Sequence, residues 1–145
     1  MSKPRVFLDT SALIAGVLSA TGGARALLQL GELGLVELWV GRRVLEEADR
    51  FFQRKSPQNR ALFARLLDVT QVQIAKEPGE AELRTAQGAL EYAPDAFVLA
   101  EALVSGADYL VSHDKEHFLA NADLNGLPSM ILTPGECLAI VRAAL

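Results

Sequence analysis

Four short apolar runs, RVFLD (5–9), LVELWV (35–40), DYLVS (108–112) and SMILT (129–133), each give way within a few residues to a segment with helical spacing. A continuous apolar run that stops at polar residues or glycine reads as a strand covered on both faces. Successive strands joined through helices run parallel, because the chain must cross back over the sheet before pairing again. The expected fold class is therefore α/β: a three-layer α/β/α domain with a mostly parallel central sheet. VQIAK (72–76) is a weaker candidate strand.

The intervening segments carry helical signatures. SALIAGVL (11–18) is broken by SATGG, and ARALLQLGELG (24–34) ends on glycine. In GRRVLEEADRFFQRK (41–55), Val44, Leu45, Ala48, Phe51 and Phe52 share one face. SPQN predicts a helix start with Ser56 as N-cap and Pro57 at the first position, continuing through Leu62, Phe63, Leu66 and Leu67. A helix is expected over 79–91. After Ala93-Pro94, DAFVLAEALVSG (95–106) predicts an apolar helix closed by Gly106. HDKEHFLAN predicts a turn and short helix, and PGECLAIVRAAL the last helix.

The 145 residues, half of them apolar, suit one domain spanning 1–145. A chain of this size buries roughly two-thirds of its unfolded surface, so its core needs no disulfide. Its single cysteine, Cys137, has no internal partner, which fits a reducing compartment. MSKPRVFLD lacks the apolar core of a signal peptide, and no run approaches the ~20 residues of a membrane span. A soluble, cytoplasmic protein without membrane contact is expected. The net charge of −4 excludes a general polycation but not a local basic surface. Half of the 14 Lys and Arg residues, namely Arg42, Arg43, Arg50, Arg54, Lys55, Arg60 and Arg65, fall between positions 42 and 65. They form either a solvated helical face or a surface that meets phosphates.

Acids recur where strands end. Asp9-Thr10-Ser11 follows the first strand and Ser112-His113-Asp114 the one at 108–112. Glu46 and Glu47 lie one to two turns past the second strand, and Asp95 opens the apolar helix. Singly, each has an ordinary explanation: Asp9, Asp95 and Asp114 as helix caps, Glu46 or Glu47 as a solvated charge. Jointly they fall at the carboxyl edge of a parallel sheet, where open α/β folds place their sites. Clustered carboxylates raise one another's pKa unless a cation lies among them. All-oxygen ligation suits Mg²⁺ or Mn²⁺, and such ions favour phosphoryl chemistry. Thr10 and Ser11 would add hydroxyl contacts.

FLDTSALIAG, RRVLEEADRF, PDAFVLAEALVSGADYLVSHDKEHF and ILTPGECLA together resemble a PIN domain, from about residue 5 to 140. That resemblance implies a small metal-dependent ribonuclease, in many cases the toxin of a toxin–antitoxin pair. It implies Asp9, Glu47, Asp95 and Asp114 as metal ligands and catalytic acids on one or two Mg²⁺ or Mn²⁺ ions. Ser11 takes the place of the hydroxyl often found two residues after the first acid. Glu46 competes with Glu47, and Glu116 and Thr10 are possible accessories. His113 departs from the small or polar residue expected beside the last acid. The implied partners are an RNA substrate, a separate antitoxin chain and a second copy in a homodimer. Arg42, Arg43, Arg50, Arg54 and Lys55 are the candidate nucleic-acid contacts. The alternative is a PIN-like module that binds RNA or protein with little or no catalysis.

Other active-site patterns fit less well. HDKEH (113–117) has the histidine spacing of a zinc-protease helix, but it begins at a strand end and the chain holds no further histidine. A dehalogenase-type phosphatase usually has a second aspartate two residues after the first, where Ser11 stands. The glycines at 22–23 lack the Gly-Lys-Ser/Thr of a phosphate loop.

Overall fold

The computed structural model describes residues 2–114, Phe118 and 126–145. In chain order it contains β1 (Arg5–Leu8), α1 (Thr10–Leu18), α2 (Gly23–Glu32), β2 (Glu37–Val40) and α3 (Arg42–Lys55). A 3₁₀ turn (Pro57–Asn59) leads into α4 (Arg60–Val69), followed by β3 (Gln73–Ile74), α5 (Glu80–Ala89) and α6 (Ala93–Val104). The chain continues through β4 (Tyr109–Val111), β5 (Met130–Leu132) and α7 (Pro134–Ala143). The five strands pair in parallel in the order β3-β2-β1-β4-β5. With helices layered against it, this is the three-layer α/β/α arrangement.

The strand order places the site. The chain builds outward from β1 through β2 to β3, then returns to the other side of β1 for β4 and β5. The order reverses between β1 and β4, and a crevice opens there beyond the strand ends. Val6, Phe7 and Leu8 of β1 are buried, as are Leu110 and Val111 of β4. β1 is central and needs apolar side chains on both faces, which explains its uninterrupted run. β3 is a two-residue edge strand with Ile74 exposed, so its sequence signal is correspondingly faint.

Among the described residues, helix boundaries agree with the sequence expectation to within about two residues except at two starts, and the short helix expected in HDKEHFLAN lies largely outside the described residues. Ser56 precedes the 3₁₀ turn, but its hydroxyl accepts from Asn59 Nδ2 at 2.8 Å and caps no backbone amide. α6 begins at Ala93 with Tyr92 as N-cap, so Pro94 lies inside the first turn and Asp95 is its third residue. A proline needs no amide partner in a first turn, so it starts this helix instead of interrupting it. Gly106, just past the end of α6, has φ +69°, the left-handed conformation that glycine adopts freely. Phe52 stacks on Phe63 with ring centroids 4.8 Å apart, locking α3 to α4.

Candidate active site

Asp9 begins at the backbone. Its N–H donates to the carbonyl of Val111 at 3.0 Å, so the β1–β4 ladder continues one residue past the strands. Its side chain then turns back as the N-cap of α1, where Oδ1 accepts from Ala12 N at 2.9 Å. Ser11 Oγ donates to the same oxygen at 2.7 Å. Asp9 is 7 % exposed. Burial pushes its pKa up. The Ser112 hydroxyl, the Ala12 amide and the Ser11 hydroxyl pull it down, and Asp114 adds a smaller upward push.

Ser11 and Ser112 tie the two strand ends together. Their hydroxyls lie 3.4 Å apart, Ser11 Oγ also accepts from His113 N at 3.1 Å, and Ser112 Oγ accepts from Asp114 N at 2.9 Å. The turn after β4 is thereby fixed against the start of α1, and this turn delivers Asp114. Across the cleft, Thr10 Oγ1 donates to Glu47 Oε2 at 3.3 Å and links α1 to α3. Asp9, Thr10, Ser11, Glu47, Asp95 and Asp114 all line one cleft of about 160 Å³, which Pro94, Val98 and Phe118 complete. Four carboxylates from four segments thus face a common space. Among the described residues, no three of them are close enough to share an ion as they stand.

Asp9 is therefore a helix cap and a cleft carboxylate at once. Asp95 lines the cleft from the third position of α6, which replaces the N-cap expected for it. Glu46 is exposed and does not line the cleft. Glu116 and His117 lie outside the described residues. Arg42, Arg43, Arg50, Arg54 and Lys55 are all exposed. Arg42 spends part of its charge on Glu77, 3.9 Å away.

Glu101 is an acid that sequence reasoning missed. It projects from the middle of α6 and is 3 % exposed, and its Oε1 has no hydrogen-bond partner among the described residues. A Cβ on Gly41 would collide with its carboxylate. Gly41 is the N-cap of α3 and has no side chain to offer the helix. The Glu101 carboxylate takes that place beside the first amides of α3. Burial pushes its pKa up to about 7. Arg43 opposes the rise, Glu77 and Glu47 add to it, and the Arg42 backbone N–H lowers it. Two sequence signals point to this contact: a lone acid inside VLAEALV, and a glycine at a helix start.

A family model for the PIN domain matches residues 5–116. The chain belongs to the PIN-domain family. PIN domains are generally nucleases that use divalent metal ions. The fold is similar to that in a crystal structure of VapBC2 from Rickettsia felis bound to a DNA fragment from their promoter. The likeness has a TM-score of 0.64 at 16 % identity and covers 89 % of this chain and 98 % of that one. No protein of curated function is matched. Among the described residues no single helix is long and apolar enough to cross a membrane.

Proposed function

We propose that residues 1–145 act as one PIN-domain endoribonuclease that cleaves RNA with Mg²⁺ or Mn²⁺. The observation that carries this reading is the meeting of Asp9, Glu47, Asp95 and Asp114 in one cleft at the switch point between β1 and β4. Its oxygen-only donor set suits a hard divalent cation. In this reading the four acids hold the metal, and mutual repulsion keeps them apart without it. When bound, the ion supplies charge neutralisation and activation of water at the phosphodiester. The chain's own residues do the rest. Ser11 and Ser112 hold Asp9 and Asp114 in place through the bonds described above, and Thr10 orients Glu47. Water adds to phosphorus as one phosphorus–oxygen bond breaks, and the leaving oxygen ends protonated. Ser11, Thr10 and Glu116 are accessory groups, and Glu47 stands ahead of Glu46 because it faces the cleft.

Arg42, Arg43, Arg50, Arg54 and Lys55 would guide the RNA backbone along α3 by neutralising phosphates. We further propose a cytoplasmic toxin role with a separate antitoxin chain and a homodimeric assembly. The family membership and the VapBC2-like fold support this. The rival reading is a module that binds RNA or protein without turnover.

A cleavage assay on mixed single-stranded RNA tests these readings, with Mn²⁺, Mg²⁺ or a chelator, for the wild type, Asp9→Asn and Asp114→Asn. Cleavage by metal-loaded wild type alone is the expected result. RNA bound but uncut would select the module. Cleavage that survives both chelation and the substitutions would remove the acids from the chemistry.

A further inference from the structure

Pro94 lines two hollows. One is the acidic cleft, and the other has a volume of about 260 Å³ and a different chemistry. Its walls are Leu83 of α5 with Pro94 and Phe97 of α6, and its polar groups are Arg43 of α3 and Gln87 of α5. The first turn of α6 divides the two: Asp95 and Val98 face the acids, Ala96 and Phe97 the second hollow. Arg43 lies with its guanidinium 4.2 Å from the centre of the Phe97 ring. Arg43 also interacts electrostatically with buried Glu101, whose pKa it lowers. Arg43 nevertheless remains exposed and forms no salt bridge among the described residues. The amide of Gln87 is exposed, and no hydrogen bond engages it among the described residues.

From this geometry we infer that the Arg43–Phe97 hollow is a nucleobase subsite for the nucleotide next to the phosphodiester held in the acidic cleft. This inference rests on the ribonuclease reading of that cleft. A guanidinium plane backed by an aromatic ring is a stacking platform for an unpaired base. Apolar walls on Leu83, Pro94 and Phe97 suit the flat ring of a base, while the exposed Arg43 can still meet the adjoining phosphate. Gln87 presents both a donor and an acceptor to the base edge, so the subsite confers base preference as well as affinity.

The test is steady-state cleavage of a single-stranded RNA by the full chain in Mn²⁺, with one abasic position moved stepwise past the cleaved bond. Abasic substitution at one flanking position should raise KM about tenfold, the scale of a lost base stack, with kcat little changed. Phe97→Leu and Arg43→Gln should raise KM to a similar extent on intact RNA, and neither should add to the effect of the abasic position. Phe97→Tyr keeps the ring and should stay near wild type. Gln87→Ala, at an exposed position that leaves the fold intact, should change which base is preferred at that position. An abasic scan that is flat around the bond overturns the subsite and leaves the nuclease reading standing. So does an equal loss in Phe97→Leu on intact and abasic RNA, or cleavage and base preference untouched by Phe97→Leu, Arg43→Gln and Gln87→Ala, as for a hollow that receives a protein partner. Failure of the wild type to cleave any RNA overturns both.

Discussion

Two carboxylates are buried at the carboxyl edge of the sheet, and their surroundings differ. Asp9, after β1, is met by the Ala12 amide and the Ser11 hydroxyl, with Ser112 close by. Glu101, against the end of β2, keeps one oxygen with no partner among the described residues. Burial raises both pKa values; the Ser112 hydroxyl, the Ala12 amide and the Ser11 hydroxyl oppose the rise at Asp9, whereas Arg43 and the Arg42 amide oppose it at Glu101. Asp9 lines the acidic cleft with its carboxylate held by the Ala12 amide and the Ser11 hydroxyl, the placement that the proposed metal-ligand role requires. Glu101 is arranged to fill space beneath Gly41 and to set α3, which carries Glu47 and Arg43. The first carboxylate belongs to the proposed chemistry, and the second positions groups that do.

Five variants can break or sharpen this contrast. Asp9→Asn should reduce metal-dependent RNA cleavage by more than about 100-fold, beyond the 10–100-fold range typical for partners one layer out from a metal. It should disturb folding little, because the amide oxygen still accepts from Ala12. Gly41→Ala should act oppositely and destabilise the protein by about 1–3 kcal/mol, since its Cβ collides with the Glu101 carboxylate. Chemical denaturation measures this. The double variant Gly41→Ala, Glu101→Ala should recover part of the loss, and strict additivity would refute the contact.

Ser112→Ala should weaken cleavage about tenfold through loosened positions of Asp9 and Asp114, with kcat/KM as the readout. The smallest effect is on pH dependence. Glu101 titrates at about 7 in the folded chain, against an ordinary value of 4.5. Between those values the folded state binds more protons than the unfolded one. Its contribution to stability is therefore full below pH ~4.5 and is lost as pH rises through 7. Glu101→Gln should flatten that decline in urea melts at pH 5, 6, 7 and 8. An identical pH profile for wild type and variant would show that Glu101 is not the group responsible.

The sequence carried β1, β2, β4 and β5 plainly because each is a compact apolar run with an abrupt polar end. It carried Asp9 and Asp114 because strand ends in a parallel sheet share one edge, and Asp95 as the acid opening the apolar helix, whereas Glu47 was set ahead of Glu46 by the resemblance to a PIN domain. The start of α6 was placed two residues late, at Asp95, because Pro94 reads as a break, although its ring fits a first turn. Glu101 was not visible as a buried acid. A lone acid in the apolar stretch VLAEALV is a hint, but its burial depends on Gly41, sixty residues earlier in the chain. The subsite formed by Arg43 and Phe97 was hidden for the same reason. Arg43 stood out only as one member of a basic run, and the ring beneath it comes from α6. Local patterns announce elements and edges, whereas contacts between distant segments require the fold.

Thermal unfolding of metal-stripped protein titrated with Mn²⁺, for the wild type beside Asp9→Asn and Asp95→Asn, tests the central claim most directly because it needs no knowledge of the RNA. A ligand that binds only the folded state stabilises it by about 2.7 kcal/mol at 100 times its Kd. The account predicts a midpoint that climbs with Mn²⁺ in the wild type and stays nearly flat in both variants. A wild type indifferent to Mn²⁺, or variants stabilised as much as it is, would contradict the claim that these acids form one metal site.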